Sequence, residues 1–260
     1  MRAQFPSFKA RFTMKRASFI SCAKGLFVAA CLMVGQAQAS IVITGTRVVY
    51  DASQREVTVK LNNDGQSPML VQSWIDEGNV EATPDTSAAP FVLTPPIARI
   101  DPNKGQALRI RFTGQKALPQ NHESLFWLNV LEVPPSSAEG QNRLKIAFRS
   151  RVKLFYRPAG LPGNPVAAAE HLQWHLQRSG AEWALECHND SPYYVTLGKV
   201  SVSGGGQSIS PTLDISSSML APGERKVMPL KGALAAPGKV DYTSITDLGA
   251  TVGYSQTLNP

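Results

Sequence analysis

The chain has 260 residues, which is enough for one large domain or for two domains of ordinary size. Its formal net charge is +7, from 26 Lys and Arg residues against 19 Asp and Glu residues. Six of the basic residues and none of the acidic ones lie within the first 39 positions, so the remainder carries a net charge of only +1. This near-neutral remainder gives no support for nucleic-acid binding, which requires a basic surface.

The N-terminal segment, residues 1–39, has the organisation of a secretory signal peptide. Basic residues come first, an apolar run follows at 26–34, and small residues stand at Ala37 and Ala39. The apolar run is shorter than the about 20 residues that a membrane-spanning helix needs. We therefore expect an exported protein that is cleaved after Ala39, with Met14 as an alternative start.

Short strand-like runs separated by turn signals follow the signal peptide. Those of the first half are IVITGTRVVY (41–50), REVTVKLNN (55–63), PMLVQSWID (68–76), ALRIRFTG (107–114) and ESLFWLNVLEV (123–133). The turn signals between them include Pro95-Pro96, the segment 101–105 and Pro134-Pro135. Several short strands at this spacing predict an immunoglobulin-like sandwich.

A longer run, LKIAFRSRVKLFYRP (144–158), alternates two chemically different sets of side chains, as a β-strand with two unlike faces does. The apolar set begins with Leu144, Ile146 and Phe148. Residues 144–156 would span roughly 40 Å at about 3.3 Å per residue, well beyond the usual strand. We expect this strand to protrude past its sheet or to form an edge, and we interpret its apolar side chains as a binding surface.

Proline and glycine interrupt the pattern at RPAGLPGNP (157–165), which disfavours continued strand pairing. Beyond this break a second β series begins, with runs such as EHLQWHLQ, EWALECHN and YYVTLGKVSVSG. We predict an all-β protein with two immunoglobulin-like β-sandwich domains, residues 40–158 and 159–260, joined by a short, stiff linker.

Residues that could suggest an enzyme do not have the required spacing. His171 and His175 would lie roughly 13 Å apart on a strand, too far apart to share a metal ion. The glycine run 204–206 lacks the Lys and Ser/Thr of a phosphate-binding loop and is typical of a hairpin tip. Cys187 alone remains after cleavage, so it has no disulfide partner, and its strand-like surroundings predict a buried, inert thiol. We expect no catalytic residues, metal or cofactor.

Two basic residues, Arg47 and Lys153, lie within predicted strands. Each alone would ordinarily be a solvated edge charge that discourages aggregation. If the two converge between the domains, they form an anion site suited to the C-terminal carboxylate of a partner.

Four segments indicate more specifically which kind of protein this sequence resembles. They are TPPIARIDP (94–102), ESLFWLNVLEVPP (123–135), KLFYRP (153–158) and PYYVT (192–196). Together and in this order they resemble the periplasmic pilus-assembly chaperones of the PapD-like family, over residues 41 to 250. The resemblance implies two immunoglobulin-like domains in a boomerang arrangement. It also implies that the last strand of the first domain completes a pilus or fimbrial subunit, which is then delivered, without nucleotide, to an outer-membrane usher.

By the same resemblance, individual residues acquire roles in subunit binding. Leu144, Ile146 and Phe148 would be the donated side chains that fill the open groove of the subunit. Arg47 and Lys153 match the basic pair that holds the terminal carboxylate of the subunit.

Other residues match positions outside the subunit groove. Glu123, Arg157 and Asp247 match a charged trio that holds the two domains at a set angle, although unrelated surface charges remain an alternative. Pro134 and Pro135 match the corner where the family contacts its usher.

Two features refine the resemblance. Only residues 136–143 separate Pro135 from Leu144, as in the short-loop branch associated with rod-like pili, and Cys187 lacks the partner that many second domains carry. A self-capping dimer is a plausible free state, because the donor strand is apolar. The alternatives to a chaperone are an exported β-sandwich adhesin or structural pilus component, and a secreted enzyme on an immunoglobulin-like scaffold.

Overall fold

The computed structural model describes residues 40–135, 146–179, 182–213, 218–232 and 238–258. These residues form four β-sheets, which pack as two sandwiches, so the predicted all-β class with two immunoglobulin-like domains is confirmed. No helix among them is long and apolar enough to cross a membrane. The predicted signal peptide and the donor residue Leu144 lie outside the described residues.

The first sandwich contains the strands that carry most of the predicted site. They are β1 (Ile41–Ile43), β2 (Arg47–Asp51), β3 (Val57–Asn63), β4 (Met69–Asp76), β5 (Phe91–Thr94), β6 (Ile97–Ile100), β7 (Gly105–Phe112), β8 (Ser124–Val133) and β9 (Phe148–Arg157). One sheet has the order β1-β3-β7-β5 and the other has the order β2-β9-β8-β4-β6. Strand β2 runs parallel to β9, whereas the other pairs are antiparallel.

Alternating apolar residues from both sheets form the core of this sandwich. Leu61, Leu108 and Ile110 come from one sheet, and Leu128 and Leu154 come from the other; all five are almost completely buried. Burial of each such side chain contributes about 1.5–3 kcal/mol. The core-facing side chains of β9 from Leu154 onward therefore stabilise the fold.

Two segments change sheets, and one of them lies within a run that the sequence shows as continuous. The run 41–50, predicted as one strand, forms β1 and β2 in different sheets, and Gly45 between them has φ +95°. Similarly, Pro95-Pro96 separates β5 from β6, two short strands that were not predicted and that pair with different sheets. Hydrophobic periodicity does not reveal such crossings, because both sheets bury their strands in the same core.

The second sandwich begins with a short helix. Its elements are α1 (Pro165–Glu170), β10 (Gln173–Ser179), β11 (Glu182–His188), β12 (Val195–Gly204), β13 (Gln207–Ile209), β14 (Met219–Leu220), β15 (Arg225–Leu230), β16 (Lys239–Ile245) and β17 (Thr251–Thr257). The sheets are β10-β11-β15 and β13-β12-β16-β17, with β14 paired to β12. A separate apolar core lies between them.

The helix α1 corrects the strand prediction for the segment that contains His171. The side chain of Asn164 accepts hydrogen bonds from the backbone amides of Val166 and Ala167, and Pro165 follows it, which are strong helix-start features. His171 caps the C-terminal end of the helix and is not part of a strand. The sequence pattern did not indicate this helix, because six residues are too few to show a helical period. His175 lies in β10, and the described residues contain no cluster of three potential metal ligands.

Two local predictions in the second sandwich are confirmed. Gly204 pairs with Gln207 across Gly205 and Gly206, whose φ angles are +59° and +78°, as a two-residue hairpin turn requires. Cys187 is fully buried, and burial raises the pKa of its thiol far above the ordinary value, so the thiol remains protonated.

Candidate functional site

Strand β9 begins at Phe148, four residues later than the strand predicted from the alternating pattern. It pairs with β8 from Phe148 to Tyr156, along almost its whole length. On its other side, β2 covers only the part from Lys153 to Arg157. Within the part of the chain that the structure describes, the backbone of residues 148–152 therefore has no strand on this second edge.

The apolar side chains at the start of this strand are exposed. Ile146 is 53% exposed and Phe148 is 54% exposed, whereas Val152 and Leu154, on the same parity, are buried. The alternation thus continues along β9, but its first members extend beyond the core of their own sandwich.

Arg47 and Lys153 are brought together by the pairing of β2 with β9. They are direct partners in the parallel register, so their side chains lie on the same face of the sheet. The Nη1 of Arg47 donates a hydrogen bond to the carbonyl oxygen of Ile245 at 2.9 Å, and the Nζ of Lys153 lies 3.5 Å from the Oγ1 of Thr196. Both cations therefore reach from the first sandwich to the second.

Within the described residues, no direct ion pair neutralises the charges of this pair. Neither cation has a carboxylate oxygen within 4.0 Å among the described residues. Burial, followed by the charge of Arg47, lowers the pKa of Lys153 to about 8. Burial also lowers the pKa of Arg47, partly offset by Asp247 and Glu123. Two partly buried cations beside each other favour a bound anion.

A cavity of about 520 Å³ opens beside the two cations. Trp127 and Arg151 contribute to its wall from the first sandwich, and Leu197 contributes from the second. The Nε of Arg47 is buried without a hydrogen-bond partner among the described residues, so the protein does not satisfy every donor of this guanidinium.

The predicted charged trio is in direct contact. The Nε of Arg157 donates to Oε1 of Glu123 at 2.6 Å, and its Nη1 and Nη2 donate to the two carboxylate oxygens of Asp247 at 2.9 and 3.2 Å. The Oε2 of Glu123 accepts a hydrogen bond from the backbone amide of Tyr194 at 2.7 Å, and the guanidinium lies over the ring of Tyr193. Arg157 thus joins the first sandwich to the second at two points.

Burial has opposing consequences for the trio. It raises the pKa of Glu123, whereas Arg157 and the Tyr194 amide favour the ionised form. Burial also lowers the pKa of Arg157, but hydrogen bonding to Asp247 and the charges of Glu123 and Asp247 outweigh it, so the net pKa is raised. The guanidinium therefore stays charged and compensates the buried carboxylate of Glu123.

Pro134 and Pro135 follow the end of β8 and line a shallow surface pocket. Leu70 and Val133, also in the wall of this pocket, are 47% and 36% exposed, and Ile97 on the adjacent β6 is 55% exposed. The family resemblance in sequence points to the two prolines but not to this apolar patch. Leu70 is an outward-facing residue of β4, which sequence periodicity alone assigns to solvent, and Ile97 lies in β6, a strand that was not predicted.

Comparison with known proteins matches both sandwiches. Residues 40–162 match the family described as "Pili and flagellar-assembly chaperone, PapD N-terminal domain", and residues 167–256 match "Pili assembly chaperone PapD, C-terminal domain". The chain is 50% identical over 227 residues to the chaperone protein FimB/FhaD of Bordetella pertussis, covering 85% of this chain and 89% of that protein. It is 40% identical over 232 residues to the probable fimbrial chaperone YadV of Escherichia coli, covering 87% and 93%.

Solved structures agree with these matches. The crystal structure of the YadV chaperone superposes with a TM-score of 0.72 at 39% identity, covering 85% of this chain and 100% of that one. The SafB chaperone of Salmonella enterica, solved in complex with the SafA pilin, gives a TM-score of 0.70 at 28% identity and coverages of 86% and 99%. The chain therefore belongs to the PapD-like family of pilus-assembly chaperones.

Proposed function

We propose that this chain is a periplasmic chaperone that captures pilus subunits by adding β9 to them and delivers them to an outer-membrane usher. The observation that carries the proposal is the open edge of β9 at residues 148–152, beside the exposed Phe148. Unpaired backbone next to exposed apolar side chains is normally suppressed in proteins. Here it provides the two components that an incomplete sandwich lacks, a backbone ladder and core side chains.

The apolar contribution is large enough to capture a subunit without nucleotide. Ile146 and Phe148, together with Leu144 outside the described residues, would enter the groove of the subunit. Burial of three such side chains contributes roughly 5–9 kcal/mol before the cost of ordering and association. Release then requires a competing strand, which the next subunit would supply at the usher.

The cation pair gives the added strand a direction. Lys153 and Arg47 lie at the end of the open edge where β2 begins to cover β9. A subunit strand that lies along 148–152 and places its C-terminal carboxylate between these cations must run parallel to β9. Anchoring its end also fixes the register, which matters because a one-residue shift would turn every side chain to the opposite face.

Two other parts of the molecule have supporting roles in this proposal. The contacts of Arg157 with Glu123 and Asp247 would hold the two sandwiches in the orientation that keeps the cations accessible. The apolar patch around Pro134, which includes Leu70 and Val133, would contact the usher. Exposed apolar patches with polar rims are typical of protein interaction sites.

The test is native purification of the tagged protein from the periplasm of cells that express fimbrial subunits. The Lys153→Ala variant is compared with Lys199→Ala, which removes an exposed lysine of the second sandwich. We expect a C-terminally intact subunit to co-elute with the wild type and with Lys199→Ala and to be lost from Lys153→Ala.

Other outcomes would change the proposal. Equal retention by all three proteins would keep the chaperone function but remove the carboxylate anchor. Recovery of the chain in sheared surface fibres would instead favour an adhesin or structural pilus component. A homodimer without subunit would indicate that two copies cover each other's exposed donor residues.

A further inference from the structure

Two arginines of β9 stack on two tryptophans, on the face of the sheet opposite the core. The guanidinium of Arg149 lies 4.7 Å from the ring centroid of Trp74, and that of Arg151 lies 4.4 Å from the ring centroid of Trp127. Arg149 directly follows the exposed Phe148. These stacking contacts therefore fall within the half of β9 that has an open edge.

Beneath the guanidiniums lies a buried polar pair, Asp76 of β4 and Asn129 of β8, which are 1% and 0% exposed. The Nδ2 of Asn129 donates to Oδ2 of Asp76 at 2.7 Å, and its Oδ1 accepts from Nε and Nη2 of Arg149 at 3.0 and 2.8 Å. Arg151 donates to both carboxylate oxygens of Asp76, through Nε at 3.1 Å and through Nη2. The planar fork of each arginine is thus fixed by two or more directed hydrogen bonds.

Arg149 also reaches the chain that follows β4. Its Nη1 donates to the carbonyl oxygen of Val80 at 2.7 Å, and its Nη2 lies 3.3 Å from the carbonyl oxygen of Ala82. The start of β9 is therefore tied by one side chain to β8, to Trp74 of β4 and to the segment after β4.

A strand with hydrogen bonds on only one edge and exposed apolar residues at its start opens readily, because few contacts oppose local unfolding. Resting on the proposed function, we propose that Asp76 and Asn129 are positioning residues for strand donation. Acting through Arg149 and Arg151, they hold residues 148–152 extended against β8 before a subunit arrives. The open edge is then preorganised, and capture does not require ordering of the donor strand.

Stabilisation of the core does not account for this arrangement. Asp76 and Asn129 lie on the sheet face that points away from the core, and buried charge pairs are often no more stabilising than apolar residues of similar volume. The hydrogen bonds of Asp76 and Asn129 converge instead on Arg149 and Arg151, as expected if their function is to fix the conformation of β9.

The test compares Arg149→Gln with Arg111→Gln, which removes an exposed arginine of β7 in the same sandwich. Hydrogen exchange is followed at the amides of residues 148–152 that bond to β8, in the free protein. The rates of association and dissociation with a purified subunit are measured for the same variants. We expect Arg149→Gln to lose about tenfold in amide protection and in association rate, with little change in dissociation rate. Arg149→Lys should be intermediate, because lysine keeps the charge but not the fork.

Equal exchange at residues 148–152 in Arg149→Gln and Arg111→Gln would overturn the inference. So would lost protection with an unchanged association rate, because the cluster would then hold the strand without assisting capture. If the wild type captures no subunit, the proposed function fails, and with it the donation half of the inference. The exchange comparison would still decide whether the cluster orders β9.

Discussion

The two halves of β9 share one strand and one neighbour, β8, but they have opposite roles in the molecule. Residues 153–157 are covered by β2 on the second edge, and Leu154 and Tyr156 lie in the core. Residues 148–152 have no strand on that edge within the described chain, and Phe148 is half exposed. The same alternating pattern is therefore a fold element in one half and a candidate binding surface in the other.

Two cations at the ends of the covered half differ in a similar way. Arg157, at the end of the covered half, is paired with Glu123 and Asp247, whereas Lys153, at the junction of the two halves, has no ion-pair partner among the described residues. A residue of β9 has a structural role where a neighbouring element already buries its side chain or pairs its charge. It is a candidate ligand-binding residue where no neighbouring element does so. Four predictions test this distinction.

The largest expected effect is on folding of the covered half. Leu154→Ala should lower the free energy of unfolding by about 2–5 kcal/mol, because it leaves a cavity in the first core. Ile146→Ala, which truncates an exposed side chain, should change it by less than about 0.5 kcal/mol. Urea denaturation of both variants measures the contrast, and equal losses would contradict the division of β9 into two halves.

The next effect concerns the ion pairs at the end of the same half. Arg157→Met should cost about 3 kcal/mol of stability, because it leaves the carboxylate of Glu123 buried without its cation. The control is Arg225→Met, since Arg225 is 58% exposed in its pair with Glu186 and should contribute less than about 1 kcal/mol. Thermal unfolding compares the two, and a similar small loss for both would mean that the trio is an ordinary surface network.

In the open half, a single charge should remove function without affecting the fold. Phe148→Glu should weaken subunit capture by at least about a hundredfold, because a carboxylate cannot enter an apolar groove at acceptable cost. Val227→Glu is the matched control, since Val227 is an apolar strand residue of the second sandwich with 49% exposure. Protection of a subunit from proteolysis measures capture, and full protection by Phe148→Glu would exclude β9 as the donor.

The smallest effect is a pH dependence at the junction. The lowered pKa of Lys153, about 8, leaves it charged below pH 8 and increasingly neutral above it in the free protein. Binding of a carboxylate favours the charged form, so subunit affinity should be constant below pH 8 and should fall above it, by at most about tenfold per pH unit.

Lys153→Arg is the control for this effect, because arginine stays charged throughout the range. Calorimetric titration at pH 7 to 9.5 should show the loss in the wild type and little in the variant. An affinity that falls equally in both proteins would assign the pH dependence to another group.

Much of the architecture was determined by local sequence patterns. Period-two alternation predicted most of the longer strands, the glycine run predicted the turn at Gly205-Gly206, and the break after Arg157 separated the two sandwiches. These features could be predicted because they depend on a strand's two faces and on backbone conformations that few residues allow. The order of four motifs predicted the family.

Only the tertiary structure decided which apolar and charged residues of β9 remain available to bind a partner. Three features depend on contacts between residues that are distant in sequence. They are the change of sheet at Gly45, the short pairing of β2 with β9, and the hydrogen bond between Asp76 and Asn129. Sequence periodicity reports which face of a strand is apolar, but not how far its neighbour extends or which side chains from other strands meet it. Whether an apolar or charged residue of β9 stabilises the fold or remains available for a partner depends on those neighbours.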